Sequence, residues 1–210
     1  MSDQRLLLLS LGLGAVIDFL PPPAILGFVP TAGTPYEDPY FVREDRSRLE
    51  RLGYGLVELD LSAATPKSLK AELARCDGLF VAGGNTFFLL QEIQRQELGD
   101  VLTAAIGNGL PYIGASAGAV IVGPTTEPVQ ALDDVSAAPE LRDWSGLGLV
   151  TFVVLPHFGK EKYLPLYEQI EAEYGDRLDL RPLRDDQAFL VQGATQPTLI
   201  HSELVLHDSK

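Results

Sequence analysis

The five residues Gly114-Ala115-Ser116-Ala117-Gly118 follow the apolar stretch 110–113 and lead into the small-residue stretch 119–123. They form a G-x-S-x-G pattern, the sequence form of a nucleophile elbow, in which a strand turns sharply into a helix and exposes a serine hydroxyl. The spacing has a physical reason. In so tight a turn the residues two before and two after the serine crowd each other, and a side chain at either would clash. Ala115 and Ala117 keep the turn slim. The N–H of Ala117, at a helix N-terminus, suits a developing oxyanion. The pentapeptide is short, and the same residues would serve a Gly/Ala-rich turn packed for closeness alone.

A serine of ordinary acidity needs a neighbouring base, and imidazole titrates in the useful range. Histidine is scarce here: His157 ends an apolar run after Pro156, and His201 and His207 lie near the C-terminus. His157 is therefore the candidate base. An acid must then hold its tautomer and stabilise its charged form. Asp133-Asp134 would give the order Ser-Asp-His, and Asp185-Asp186 the order Ser-His-Asp. Spacing does not choose between the pairs. Gly83-Gly84-Asn85-Thr86, at the end of another strand-like run, offers bare backbone N–H groups for a second oxyanion donor, with Gly84 the candidate. Gly83, Asn85 and Thr86 are candidates for holding substrate, although a helix N-cap suits either polar residue as well. No phosphate-binding G-x-x-x-x-G-K-[ST] is present, and no His/Cys/Asp/Glu grouping has metal-ligand spacing, so neither a metal nor an organic cofactor is expected.

The elements that must position these residues are legible in outline. The chain has 210 residues, 46% hydrophobic and 21% charged, which fits one globular α/β domain over residues 1–210. A net charge of −13 disfavours nucleic acid and acidic membrane as partners. The single cysteine, Cys76, permits no internal disulfide. The apolar stretch 6–17 is too short to span a bilayer and lacks a cleavage site, so it reads as a first buried strand and its turn, and the expected location is cytoplasmic. Strand-like runs at 5–11, 24–30, 55–61, 78–82 and 110–115 are interleaved with helical patterns at 39–52, 65–74, 87–96 and 101–107. Strands at 147–155, 179–183, 188–192 and 197–206 follow, with a helix at 162–174. Apolar runs without strict alternation imply a mostly parallel sheet with helices on both faces, a three-layer α/β fold. Ligands of such sheets bind beyond the strands' carboxyl ends, where Gly83-Gly84, Ser116 and His157 fall. The polar stretch 125–145 is long enough to cover such a site.

Residues 27–33 (Gly-Phe-Val-Pro-Thr-Ala-Gly), 82–87 (Ala-Gly-Gly-Asn-Thr-Phe), 114–119 (Gly-Ala-Ser-Ala-Gly-Ala) and 155–158 (Leu-Pro-His-Phe) together resemble the aspartyl dipeptidase (peptidase E) family of serine peptidases, distant relatives of the cyanophycinases. The resemblance spans nearly the whole chain. It implies a fold like that of class I glutamine amidotransferases (flavodoxin-like), with serine where those enzymes carry cysteine. It also implies short peptides as substrates and a homodimer or larger homo-oligomer. The family's acid follows its histidine, and the matching segment 183–187 points to Asp185, with Asp186 as the neighbouring alternative. The family's usual acid is glutamate, so a shorter aspartate must approach the imidazole more closely. The family's Gly-Glu-Thr-Arg segment, whose arginine recognises an N-terminal aspartate, has no match after His157. Lys160 and Lys162 are the nearby cations, and lysine is a poorer carboxylate clamp than arginine. The expectation is a serine peptidase of broader specificity than N-terminal aspartyl dipeptides. A small-ligand binder of the same fold is the alternative, and cyanophycin-type depolymerisation and a glutaminase or amidotransferase activity are weaker ones.

Overall fold

The computed structural model describes residues 4–193 and 195–204. An interior strand of its sheet, β1 (Arg5–Leu9), contains four consecutive leucines, all fully buried. Leu6 and Leu8 enter one apolar cluster, and Leu7 and Leu9 enter another. Successive side chains of a strand point to opposite faces, so this run demands cover on both sides. That cover comes from the intervening helices. In order, β1 is followed by α1 (Val16–Phe19), β2 (Ile25–Val29), α2 (Tyr40–Arg51), β3 (Gly55–Glu58), α3 (Pro66–Leu73), β4 (Gly78–Val81), α4 (Thr86–Arg95), α5 (Gly99–Gly107), β5 (Tyr112–Ala115) and α6 (Ala117–Val120). The remainder is β6 (Phe152–Pro156), α7 (Leu164–Tyr174), β7 (Asp179–Leu183), β8 (Gln187–Gln192) and β9 (Thr198–His201).

The seven-stranded sheet has the order β3-β2-β4-β5-β1-β8-β9. The first five strands run parallel, β8 is antiparallel to β1, and β9 is antiparallel to β8. Val16, Phe19, Val42 and Leu49 of α1 and α2 pack on one face. Leu69, Leu73, Leu89, Ile93, Leu102 and Ile106 of α3, α4 and α5 pack on the other. The result is the expected three-layer α/β architecture. Among the described residues, no helix is long and apolar enough to cross a membrane.

The C-terminal third departs from the sequence pattern. The strand expected at 147–155 begins only at Phe152, because residues 147–149 instead donate their N–H groups to the carbonyls of residues 121–123 just beyond α6. The strand β6 also stays outside the main sheet and pairs with β7 as a separate parallel ribbon. The expected helix at 162–174 opens with a 3₁₀ turn, Glu161–Tyr163, and becomes α-helical at Leu164, next to Pro165. The last strand is shorter than the run 197–206; residues 205–206 and His207 lie outside the described residues.

The turn from β5 to α6 is made of backbone contact. A Cβ at Gly114 would lie 2.3 Å from the Gly118 carbonyl oxygen, and one at Gly118 would lie 2.4 Å from the Val81 carbonyl oxygen. Neither neighbour is a side-chain end that could rotate away. Gly114→Ala is therefore expected to destabilise the protein by about 1–3 kcal/mol or more, read as a lowered urea midpoint at unchanged slope. An unchanged midpoint would contradict the close packing of the turn.

Candidate active site

Three strand ends converge on one cleft. Leu9 is followed by Ser10, Ala115 by Ser116, and Pro156 by His157, so β1, β5 and β6 each deliver one side chain. Ser116 has φ 48° and ψ −108°, anchored by its N–H on the Leu9 carbonyl at 2.9 Å. His157 has φ 67°. Among the described non-glycine residues only these two and Glu97 have positive φ, a strained conformation that persists where the surroundings over-determine it. Ser116 Oγ lies 3.0 Å from His157 Nε2, and His157 Nδ1 lies 2.7 Å from Asp185 Oδ1.

Ser10, which the sequence reading passed over, locks this arrangement. It is fully buried; its Oγ donates to Asp185 Oδ1 at 2.8 Å and accepts from the His157 N–H at 2.8 Å. The signal was available: Ser10 is the polar residue at the carboxyl end of an all-leucine strand. Lys160 Nζ lies 2.6 Å from Asp185 Oδ2. Burial alone would raise the Asp185 carboxyl, yet hydrogen bonds from His157, Lys160 and Ser10, with the charge of His157, hold it well below the usual carboxylate range. The short aspartate reaches the imidazole because Gly12 N–H binds the Asp185 carbonyl at 2.9 Å, directly beside the β1–β8 ladder.

The other acids are engaged elsewhere. Asp186 pairs with Arg184 and stands 4.0 Å from His201. Asp134 caps the N–H of Ser136 at 2.9 Å. Asp133 accepts from the Thr86 N–H at 2.9 Å and the Thr86 hydroxyl at 2.6 Å, both through Oδ2. Asn85 requires a correction as a substrate-holding residue. Its side chain is 2% exposed, caps α4 through the Phe88 N–H at 2.8 Å, and donates to the Asp134 carbonyl at 2.8 Å. Both its polar groups are spent on the fold. Thr86 lines the cleft, but its hydroxyl is committed to Asp133. Gly83 packs against the nucleophile turn, where an added Cβ would lie 3.2 Å from Ser116 Cβ. Gly84 has φ +141°, and a Cβ there would collide with the Ala32 carbonyl at 2.2 Å, so only glycine fits. Among the described residues, the N–H groups of Gly84 and Ala117 have no acceptor.

Residues 125–145 wall the cleft. An isolated bridge between Thr125 and Ser145, the polar ties from Asn85 and Thr86, and the Phe87–Trp144 ring contact hold this segment against α4. The cleft measures about 380 Å³, and Tyr36, Tyr40, Phe41, Asp133 and Tyr163 share its lining with the residues above. Among the described residues no arginine lines it; its cations are Lys160, committed to Asp185, and Lys162, whose Nζ stands 4.4 Å from the Tyr163 ring centre. Asp45, on α2, also lines it and is only 6% exposed. Burial raises the Asp45 carboxyl to about 7, with Arg48 opposing and Glu44 adding to the shift.

Comparison with known proteins finds relatives of this fold. The model of peptidase family S51 matches residues 15–199. An uncharacterised peptidase of Listeria innocua is 37% identical over 165 residues, 79% of each chain. One of Pasteurella multocida is 37% identical over 169 residues, 80% of this chain and 82% of its own. Peptidase E of Streptomyces coelicolor is 36% identical over 146 residues, 70% of this chain but 56% of its own. A crystal structure of a Listeria monocytogenes protein provisionally named peptidase E superposes with a TM-score of 0.88 at 30% identity, covering 95% of this chain and 99% of that one.

The Asp45 shift has a direct consequence for stability. A raised carboxyl binds more protons folded than unfolded, so its contribution to stability falls as pH rises from about 4 to about 7. Asp45→Asn is expected to melt roughly 5 °C or more above wild type at pH 8 and together with it at pH 4, as followed by circular dichroism. A lower melting temperature at pH 8 would mean that the ionised carboxylate has a stabilising partner.

Proposed function

The chain belongs to peptidase family S51, and from that membership we propose that it is a serine peptidase that hydrolyses short peptides through Ser116, His157 and Asp185. The observation that carries the reading is the unbroken line from Ser116 Oγ to His157 Nε2 at 3.0 Å and from His157 Nδ1 to Asp185 Oδ1 at 2.7 Å. His157 takes the Ser116 proton as the hydroxyl oxygen attacks the peptide carbonyl. The N–H groups of Ala117 and Gly84 receive the oxyanion, and His157 returns the proton to the leaving amine. Water then releases the acyl group by the same route, with His157 again as base. Asp185 holds the tautomer that leaves Nε2 free to accept, and Ser10 and Lys160 hold Asp185. Ser10 is thus a positioning residue.

Specificity follows from the cleft. Its lack of arginine and the commitment of Lys160 to Asp185 leave no bidentate clamp for a substrate carboxylate. N-terminal aspartate is therefore not required, and peptides of mixed sequence are substrates.

The test is digestion of a panel of di- to pentapeptides, with and without N-terminal aspartate, read by mass spectrometry. Wild type is expected to cleave across the panel and Ser116→Ala to cleave none of it. Turnover persisting in Ser116→Ala would remove this serine as nucleophile, and silence of wild type, with no fluorophosphonate label on Ser116, would remove the activity. Asp185→Asn should lower kcat by about 10³–10⁴ with KM nearly unchanged. Ser10→Ala should lower kcat by about tenfold, the loss of one positioning hydrogen bond.

A further inference from the structure

We propose that Asp45 is a specificity residue: its carboxylate receives an ammonium group of the peptide, so that the cleft selects substrates by positive charge. The inference rests on the peptidase reading above and deepens it.

Asp45 sits on the buried face of α2, three residues after Val42 and four before Leu49, both of which enter the core. A carboxylate in such a position normally has a donor, because leaving a buried charge unpaired is costly. Asp45 has none: among the described residues, no group donates a hydrogen bond to either oxygen. Three arginines of the same helix make their ion pairs elsewhere, and Arg48 acts on Asp45 through its charge without bonding to it. Arg43 pairs with Asp38, Arg46 with Glu58 while lying over the Phe28 ring, and Arg48 with Glu44. What Asp45 does face is the cleft, which it lines together with Ser116 and His157. An acceptor without a protein donor, opening on the cleft from an otherwise buried side chain, is completed by a donor that arrives with the ligand.

The surroundings favour a cation. Tyr40 and Phe41, on the same helix, also line the cleft, and aromatic rings attract a nearby ammonium. Thr86 occupies only Oδ2 of Asp133, which leaves a second carboxylate oxygen uncommitted in the same cleft. A chain of packed contacts links the Gly84 turn to the helix that carries Asp45. The Gly84 turn lies against Ala32, and Gly33 lies against Val42, where an added Cβ would meet Val42 Cγ2 at 2.7 Å. Asp45 stands one helical turn beyond Val42. The ammonium that reaches it is either the peptide's own N-terminus or the side chain of a lysine.

Four substrates separate these sources: Lys-Ala, norleucine-Ala and their N-acetylated forms, with kcat/KM measured for wild type and Asp45→Asn. Wild type is expected to favour a charged substrate over its uncharged counterpart by about tenfold or more, carried in KM, and Asp45→Asn to bring that ratio near unity. A ratio lost between free and acetylated norleucine-Ala assigns the N-terminus, and one lost between acetylated Lys-Ala and acetylated norleucine-Ala assigns the side chain. Ratios unchanged in Asp45→Asn would overturn the inference. Should wild type turn over none of the four, the peptidase reading fails, and calorimetry with the inert Ser116→Ala protein decides the inference by itself. Lys-Ala binding weakened about tenfold by adding Asp45→Asn supports it, and equal or absent binding overturns it. Asp45→Glu, which keeps the charge, should keep a preference in the same direction, and it replaces Asp45→Asn as the test if the latter does not fold, with loss of the preference counting against the inference.

Discussion

One carboxylate ties the molecule together at its chemical end. The ribbon of β6 and β7 shares no ladder with the seven-stranded sheet, yet His157 projects from the ribbon and Ser116 from the sheet. Asp185, between β7 and β8, spans the gap. One of its oxygens accepts from His157 and Ser10, the other faces Lys160, and its carbonyl accepts from Gly12. With three donors around it, this half-buried charge is well compensated, which is how the desolvation cost of an ion pair is offset. Where no strand pairing joins the two sheets, hydrogen bonds to this residue do so at the cleft, and apolar contacts such as Phe152 against Phe189 do so in the core.

The serine and the histidine are held from behind by different means. At Ser116 the strain is imposed by three layers of bare backbone, Gly114 against Gly118 and Gly118 against Val81, so no side chain can relax it. At His157 a single turn carries the strain, fixed by the bond from its N–H to Ser10 and, one residue on, by the Phe158 N–H to the Leu183 carbonyl at 3.1 Å. The first support is steric and the second polar. A sterically fixed Ser116 thus faces a His157 held by hydrogen bonds, which leaves His157 the more adjustable of the two.

The sheet and the nucleophile turn were legible because their signals are local. Four leucines in a row state that both faces of β1 are covered, and glycines two residues either side of a serine state a tight turn. Which aspartate meets His157 was not legible from the residues alone. Asp133, Asp134, Asp185 and Asp186 all sit in turns, and what separates them is a tertiary fact: which one lies beside the end of β1. Asn85 was readable in two ways, and the cap won because it also ties down the wall 125–145. Ser10 went unread since one hydroxyl at a strand end carries no spacing pattern. Asp45 left a trace, as the one acid in the apolar register of α2 among Val42 and Leu49, but on a helix as charged as residues 43–51 that register is easily missed.

The bond between Ser10 and Asp185 joins positions 175 residues apart in sequence. On a ribosome, the chain reaches the Ser116 turn long before Asp185 is made, and until then His157 and Ser10 lack the carboxylate that joins them. The contacts of Asp185 with Ser10 and His157 form only when the β8 segment docks beside β1, a long-range closure whose loop entropy must be met before the contacts reward it.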